Sequence, residues 1–147
     1  MNTTSDDIAQ KVFDLLTQAP DKPAGMDRDH AILDHPELPM DTIDLPVVGT
    51  YLTDGESPVE ETTNLITRRT CEVVVEVRAS VKHPIQGTRA FREWIIRTLT
   101  KDPRMGGLAV KIEYLGFKPY GGVLNKWIAG ALLTFRITYL WNTQTGA

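Results

Sequence analysis

The feature that most constrains the fold is a strict alternation of side chains over residues 67–81. After Arg69, the odd positions carry small or apolar residues, namely Cys71, Val73, Val75, Val77, Ala79 and Val81. The even positions are mostly polar or charged. Since successive side chains of a β-strand point to opposite sides of a sheet, this pattern predicts a long strand with one buried face.

Three further segments have strand-like patterns, at residues 45–52, 110–116 and 129–141. Pro46 lies near the start of the first, where its missing N–H does least harm to a sheet. The beginning of the last, near Trp127, is also compatible with a helix. Residues 59–66 connect two strands without a defined form. Turns are predicted at residues 53–58, 82–87 and 118–122.

Two helices are predicted from apolar residues that recur at helical spacing. The first covers residues 4–19, with Thr4 or Ser5 as its N-cap. Its apolar face consists of Ile8, Val12, Leu15, Leu16 and Ala19. The second begins after Thr88 as N-cap and ends near Thr98. Its buried stripe consists of Phe91, Trp94, Ile95, Thr98 and Leu99.

These elements predict an α+β fold, with a mainly antiparallel four-stranded sheet and two helices packed on one face, the odd-numbered face of the longest strand. A length of 147 residues fits a single domain. Its parts are an N-terminal helix (4–19), an acidic loop (21–43), and the sheet with the second helix (45–141).

The acidic loop is rich in proline, which prevents regular structure, and it has few apolar residues with which to pack as a core element. Loops of this length are uncommon inside compact domains and are often functional. We therefore expect the loop to be mobile or extended in the free subunit, and to become ordered against a basic surface of a neighbour.

Acidic and basic residues are segregated along the chain. Residues 1–66 hold 14 acidic and 3 basic residues, a formal charge of −11, whereas residues 67–147 hold 5 acidic and 13 basic residues, a formal charge of +8. Such a subunit is able to place its acidic part against the basic part of an identical neighbour, because complementary potentials speed encounter and fix register. A solvated acidic loop beside an ordinary basic domain explains the charges equally well.

Patterns for catalysis or metal binding are weak. His30 and His35 lie among carboxylates in the acidic loop, but their spacing matches no zinc or EF-hand pattern. Cys71 would be a nucleophile only beside a histidine, and its strand parity favours a buried position. We expect no enzymatic activity, no cofactor and no metal ion.

A nucleic-acid-binding module is the alternative from another functional class. A basic run around the second helix is able to contact phosphates, through Arg89, Arg92, Arg97, Lys101 and Arg104. Phe91 and Trp94 fall on the buried stripe, so no stacking platform accompanies these cations. The net charge of −3 also argues against this alternative.

Little else in the chain points to a compartment or a partner. One cysteine rules out an internal disulfide. The first residues lack the basic and apolar regions of a signal peptide. The longest apolar stretch, residues 127–133, is far shorter than the ~20 residues of a membrane helix. We expect a soluble protein of a reducing cytoplasm, with no membrane contact.

Four segments occur in a suggestive order. They are LPVVGTYLTDGE (45–56), RRTCEVVVEV (68–77), DPRMGGL after the second helix (102–108), and a closing strand with an aromatic residue at its end (131–139). In order and spacing they resemble the minor tail and tail-terminator (tail-completion) proteins of long-tailed bacteriophages. The resemblance covers residues 45–141 and the N-terminal helix. The acidic loop departs from the family, because it is longer and more acidic than expected.

The resemblance implies a structural subunit that forms a ring, typically a hexamer, on the head-proximal end of the tail tube. Such a ring ends tube growth, presents the surface for head joining and lets DNA pass through. The implied partners are other copies of the chain, the tail tube protein and the head–tail connector protein. The implied location is the virion tail, after assembly in the host cytoplasm. A head–tail connector or neck protein is the alternative among structural proteins.

Charge and strand parity suggest which residues form the subunit contacts. The acidic candidates are Asp27, Asp29 and Asp34. The basic candidates are Arg68, Arg78, Arg89, Arg92, Arg97, Lys101 and Arg136. Among them, the cations of the second helix are expected to receive the acidic loop of a neighbour.

Overall fold

The computed structural model describes residues 3–39, 44–53, 57–61, 66–121 and 127–142. Its helices are α1 (Ser5–Gln18), α2 (Pro84–Gly87) and α3 (Arg89–Thr100), followed by a 3-10 turn at Met105–Gly107. Its strands are β1 (Ile32–Leu33), β2 (Val47–Leu52), β3 (Ser57–Glu61), β4 (Ile66–Ala79), β5 (Lys111–Gly121) and β6 (Ala129–Asn142).

The strands form one sheet in the order β1-β2-β4-β6-β5, and β3 also pairs with β4. β1 is parallel to β2, while the other pairings are antiparallel. The α+β class is confirmed, but the described residues contain six strands where the sequence predicted four. β1 was missed because two residues show no periodicity, and β3 because it begins in a stretch with turn composition.

Strand β4 is central and carries the predicted alternation. Its inward-facing residues pair with buried residues of β6, as Val73 does with Phe135. Helices α1 and α3 cover this side of the sheet with Ile8, Val12, Leu16, Trp94, Ile95 and Leu99. Helix and strand residues form one core. The prediction of two helices on the odd-numbered face is therefore confirmed.

The two predicted N-caps differ. Thr4 caps α1 in a capping box, in which the Asp7 N–H donates to Thr4 Oγ1 at 3.2 Å and the Thr4 N–H donates to the Asp7 carboxylate at 2.9 Å. Thr88 occupies the predicted N-cap position of α3, but it is buried and its side chain makes no capping hydrogen bond. Its hydroxyl donates instead to the carbonyl of Pro84 at 2.5 Å, because α2 directly precedes α3 and offers that acceptor.

Strand β5 continues through residues that the sequence predicted as a turn. Pro119 is tolerated because β5 lies at the edge of the sheet. The register shifts between Tyr114 and Gly116, and Gly116 has a φ of 119°. This bulge returns Phe117 to the core side of the sheet. The predicted turn at 118–122 is thus wrong up to Gly121, and Gly122 lies outside the described residues.

The other predicted turns are partly described. The turn at 82–87 contains α2. The turn at 53–58 ends inside β3, and its residues 54–56 lie outside the described residues, as do residues 62–65 of the connecting segment. Trp127 is a bend before β6, so the start of this segment is not helical, and the strand begins at Ala129 as predicted.

The acidic loop wraps around the edge of the sheet. Met26 and Ala31 are each 1% exposed and belong to the main core. After β1, Leu38 packs in a second cluster, whose other buried members are Leu45, Val47 and Ile128. The expectation that this loop contributes nothing to the core is wrong. A wrapped segment needs only isolated apolar residues where it crosses the sheet edge, and residues 40–43 lie outside the described part.

Candidate assembly surfaces

The sheet has a helix side, covered by α1 and α3, and an opposite side, here called the open side. Residues of β4 and β6 that alternate with the core point to the open side, and they include Val74, Glu76, Leu132 and Thr134. Glu76 is nevertheless only 7% exposed. It is buried because Tyr51 of β2 and Tyr120 of β5 reach over it to form hydrogen bonds.

Glu76 is the centre of a polar cluster. Tyr120 Oη donates to Glu76 Oε2 at 2.6 Å, and Tyr51 Oη donates to Oε1 at 3.4 Å. Arg78 Nη2 donates to Oε2 at 3.2 Å, and Arg78 Nε donates to Tyr120 Oη at 3.1 Å. Both carboxylate oxygens therefore have partners, as a buried charge requires.

The cluster keeps its phenols protonated. Burial raises the pKa of Tyr120 above its ordinary value, and the hydrogen bond to Glu76 raises it further, while the hydrogen bond from Arg78 acts in the opposite direction. Burial also raises the pKa of Tyr51, and the charge of Glu76 adds to that effect. Both tyrosines are therefore donors to Glu76 at neutral pH.

Gly130 allows Tyr120 to reach Glu76. Strand β6 lies between β4 and β5, so the phenol must cross β6. It crosses directly above Gly130, where a Cβ atom would overlap both Tyr120 Oη and the carbonyl oxygen of Val77. The sequence offered no signal for this cluster, because a glycine and a tyrosine on separate strands form no local pattern.

Arg78 connects the cluster to the acidic loop. Its Nη1 donates to the carbonyl oxygens of Leu38 at 2.9 Å and Pro39 at 3.1 Å. The Arg78 side chain is only 14% exposed. Sequence analysis placed Arg78 on the outer face as a subunit contact, whereas the structure places it in a network within one chain. A direct role for it between subunits stays a prediction.

The loop is fastened on both sides of the sheet edge. On the open side, a Cβ at Gly49 would lie 2.7 Å from Leu38 Cδ2 and 2.8 Å from the His35 carbonyl oxygen, so this part of the loop rests on β2.

Arg28 holds the other part of the loop, near α1. Its Nε donates to the carbonyl oxygen of Gly25 at 2.8 Å. Its Nη2 donates to the carbonyl oxygens of Asp44 and Pro46. The described part of the loop is therefore held by its own chain.

The three acidic candidates are all exposed, but they lie in two places. Asp27 and Asp29 lie near Lys22, which donates to two carbonyl oxygens at the end of α1 at 2.6 and 3.1 Å. Asp34 follows β1, where the chain turns onto the open side. The structure thus separates Asp34 from the other two.

Arg92 is tied to its own chain. Its Nε donates to Thr88 Oγ1 at 3.1 Å, and its Nη2 donates to the carbonyl oxygen of Ile85 at 2.5 Å. Its guanidinium lies 3.9 Å from the ring centroid of Phe117. Arg92 therefore joins α2, α3 and β5.

The remaining cations of α3 and its end are at the surface. Arg89 and Lys101 are exposed. Arg97 is 59% exposed and forms a salt bridge with Asp21 at 3.0 Å. Contact between an α3 cation and the acidic loop therefore occurs within one chain at Asp21, and contact between chains stays a prediction.

The two remaining basic candidates lie in β4 and β6. Arg136 is exposed on the open side and pairs with its cross-strand neighbour Glu72 at 3.2 Å. Arg68 is half-buried and lies opposite Leu140. Nothing in their geometry distinguishes a subunit contact from an ordinary surface position.

A groove that sequence analysis missed lies between α1 and α3, and we call it the α1–α3 groove. Its exposed lining is mostly apolar, and its residues are Leu15, Gln18, Ala19, Pro20, Asp21, Arg97, Thr98 and Lys101. The helical spacing of Leu15 and Ala19 placed both on the buried face. Only the packing of α1 against α3 shows that Leu15 is half-buried beside a cleft.

Other candidate chemistry is sparse. His30 and His35 are exposed, and the described residues contain no group of three or more His, Cys, Asp and Glu side chains that could hold a metal ion. Cys71 is 2% exposed, which confirms its core position. Among the described residues, no helix has both the length and the apolar character needed to cross a membrane.

Comparisons with known proteins find similarity among solved structures but none by sequence. No protein-family model matches the sequence, and no curated protein matches it. Among solved structures, the chain is similar to a chain of the virion of a native gene transfer agent particle, with a TM-score of 0.66 and 14% identity. The match covers 96% of this chain and 100% of the other. At this identity the match shows that the two chains share a fold.

Proposed function

We propose that this protein is a structural subunit of a phage-like virion. The observation that carries the proposal is the fold shared with a virion chain over 96% of this chain and the whole of the other. A match to a complete chain differs from a match to one motif, because the whole subunit then has the size and shape of a virion component. The resemblance of four sequence segments to phage tail proteins is an independent argument in the same direction.

The more specific proposal is a ring, with six subunits as the expected number, that caps the head-proximal end of a tail tube. One face of such a ring repeats the contact that tube subunits make with one another, and the other face does not. Tube growth therefore ends when the ring adds. The second face then receives the head–tail connector, and DNA passes through the centre. In this proposal the protein has no catalytic role.

The charge distribution supports head-to-tail contacts in the ring. A closed ring needs two different complementary surfaces on each subunit. The acidic part of the chain supplies exposed carboxylates at the sheet edge, and α3 with its C-cap supplies exposed Arg89, Arg97 and Lys101. Complementary charges of this kind set encounter rate and register more than affinity.

A head–tail connector or neck protein is the second candidate. Such a protein also forms a ring beside the tail end, and the shared fold supports it equally. A nucleic-acid-binding module is less well supported, because Arg92 is tied to its own chain and Trp94 is buried in the core, where it offers no stacking platform.

The decisive experiment is assembly of particles without the protein. A terminator subunit predicts tails of uncontrolled length that do not join heads, and a connector predicts tails of normal length that do not join heads. Normal particles would contradict both. In parallel, light scattering and negative-stain images of the purified protein, alone and with tail tubes, should show a ring. A strict monomer under all these conditions would exclude the ring.

A further inference from the structure

The α1–α3 groove has the chemistry of a docking site for an acidic segment. Its exposed lining is mostly apolar, and Arg97 and Lys101 supply two cations against the single carboxylate of Asp21. Arg97 and Asp21 are more than half exposed, so their salt bridge is weak and easily exchanged for another partner. The groove therefore fits a segment that combines carboxylates with a small apolar group.

Residues 34–37 of the same chain have that chemistry. Their sequence is Asp34-His35-Pro36-Glu37, and all four residues are exposed. Pro36 supplies a compact apolar group, and the carboxylates of Asp34 and Glu37 flank it. The segment is short enough to enter a cleft between two helices.

The segment and the groove lie on opposite sides of the sheet. Helices α1 and α3 cover the helix side, whereas the His35 carbonyl and Leu38 rest on Gly49 from the open side. Residues 34–37 therefore do not reach the groove of their own subunit. They are able to reach the groove of a second copy, and a contact between two different surfaces repeats from copy to copy until a ring closes.

The segment is also preorganised. Leu38 is buried in the second apolar cluster, and Arg78 holds the carbonyl oxygens of Leu38 and Pro39. A segment fixed in this way loses little conformational freedom on docking, which favours binding. Arg78 is then a positioning residue: it holds Leu38 and Pro39, which directly follow the docking segment, without touching the neighbour.

We propose that residues 34–37 of one copy dock in the α1–α3 groove of the next copy, with Lys101 and Arg97 facing Asp34 and Glu37. The inference rests on the proposed ring, and it names the contact that closes it. It replaces the expected docking of the whole acidic loop by four residues, and it excludes Asp27 and Asp29 from the contact because they lie beside Lys22 in their own subunit.

Two variants of the full-length protein test the contact. In a groove variant, Gln18→Trp fills the groove and Lys101→Glu reverses the charge at its rim. A segment variant, Asp34→Asn with Glu37→Gln, removes the docking carboxylates. All four positions are exposed, so both variants should melt like the wild type. A matched control, Lys118→Glu, makes the same charge change as Lys101→Glu at an exposed position of β5.

Each variant alone should self-associate at least about tenfold more weakly than the wild type. In the groove variant like charges then face each other, and in the segment variant the groove cations lose their carboxylate partners. The control should assemble normally. An equimolar mixture of the two variants should form a dimer of twice the 16.4 kDa subunit mass and no larger species. The intact segment of the groove variant then docks in the intact groove of the segment variant, and the second contact is blocked.

The outcomes separate the two proposals. Wild-type rings with both variants assembling like the wild type would overturn the docking contact and leave the ring standing. A mixture that stays monomeric while the wild type assembles would also overturn the docking contact. A wild type that remains monomeric in solution and on tail tubes would overturn the ring, and the docking contact with it. Sedimentation velocity supplies the solution readouts, and negative-stain images of tail tubes supply the remaining one.

Discussion

The phenol of Tyr120 donates a 2.6 Å hydrogen bond to Glu76 across an intervening strand, above the backbone of Gly130. This bond links the edge strand β5 to the central strand β4 through side chains as well as through β6. The same carboxylate receives Arg78, which holds the acidic loop. The Glu76 carboxylate on the central strand therefore connects the edge strand, through Tyr120, with the loop that carries the proposed docking segment, through Arg78.

Replacing Gly130 by alanine should destabilise the protein by about 1–3 kcal/mol, the usual cost of forcing extra atoms into a packed site. The new Cβ would overlap Tyr120 Oη and the Val77 carbonyl oxygen. Urea denaturation measures the change. In a Tyr120→Ala background the same substitution should cost less, because one of the two overlaps is gone. An equal cost in both backgrounds would show that the phenol does not lie over Gly130.

Replacing Tyr120 by phenylalanine should lower the free energy of unfolding by about 1–3 kcal/mol, because Glu76 remains buried and loses a hydrogen-bond donor.

The same substitution should also change how the free energy of unfolding depends on pH under alkaline conditions. The pKa of Tyr120 is raised in the folded protein by burial and by Glu76. The contribution of protonated Tyr120 to the free energy of unfolding is therefore fully present below the ordinary pKa of 10.0. It is lost as the pH rises from there towards the raised pKa of Tyr120 in the folded protein. The free energy of unfolding should fall less steeply above about pH 10 in the variant. Identical pH profiles would contradict the assigned hydrogen bond.

Arg78 and Arg97 should respond differently to replacement by lysine. Arg78→Lys should cost about 1.5–3 kcal/mol, because hydrogen bonds of a charged, mostly buried group to two carbonyl oxygens and Glu76 are disrupted. Arg97→Lys should change stability by less than about 1 kcal/mol, because its salt bridge to Asp21 is solvent-exposed. Thermal melting of both variants provides the comparison. Similar effects of the two substitutions would show that Arg78 does not hold the loop.

Residues of the acidic loop should contribute to stability. Met26→Ala should cost about 2–5 kcal/mol, since Met26 is 1% exposed in the main core. Glu37→Ala, at an exposed position of the same loop, should be close to neutral. Deletion of residues 22–41 should consequently unfold or strongly destabilise the protein. A shortened protein that melts like the wild type would contradict the packing of Met26 and Ala31.

Cys71 should be protected in the folded protein. It is 2% exposed, so a bulky thiol reagent should react only on the timescale of unfolding. Cys71→Ala should cost about 1 kcal/mol, the value for a small loss of buried apolar surface. Rapid labelling of the native protein would contradict the inward orientation of the β4 face that packs against α1 and α3.

The sequence by itself determined the elements whose pattern is local. The alternation along β4, the parity of β6 and the apolar stripes of α1 and α3 each repeat over several turns or residue pairs, so they predicted both the elements and the face on which the helices pack. The N-cap of α1 was predicted for the same reason as Thr4 or Ser5, and the structure selects Thr4, whose capping partner Asp7 is three residues away.

Only the tertiary structure decided what depends on distant residues. The bulge at Gly116 extends β5 through a segment with turn composition because β6 is beside it to pair with. The two-residue strand β1 exists only because β2 offers its edge, and a loop judged too polar for the core needs only Met26, Ala31 and Leu38 to follow the sheet. Glu76 is buried because Tyr51 and Tyr120 reach it from other strands. Sequence periodicity reports which face of one element is apolar, whereas contacts between elements depend on how those faces meet in space.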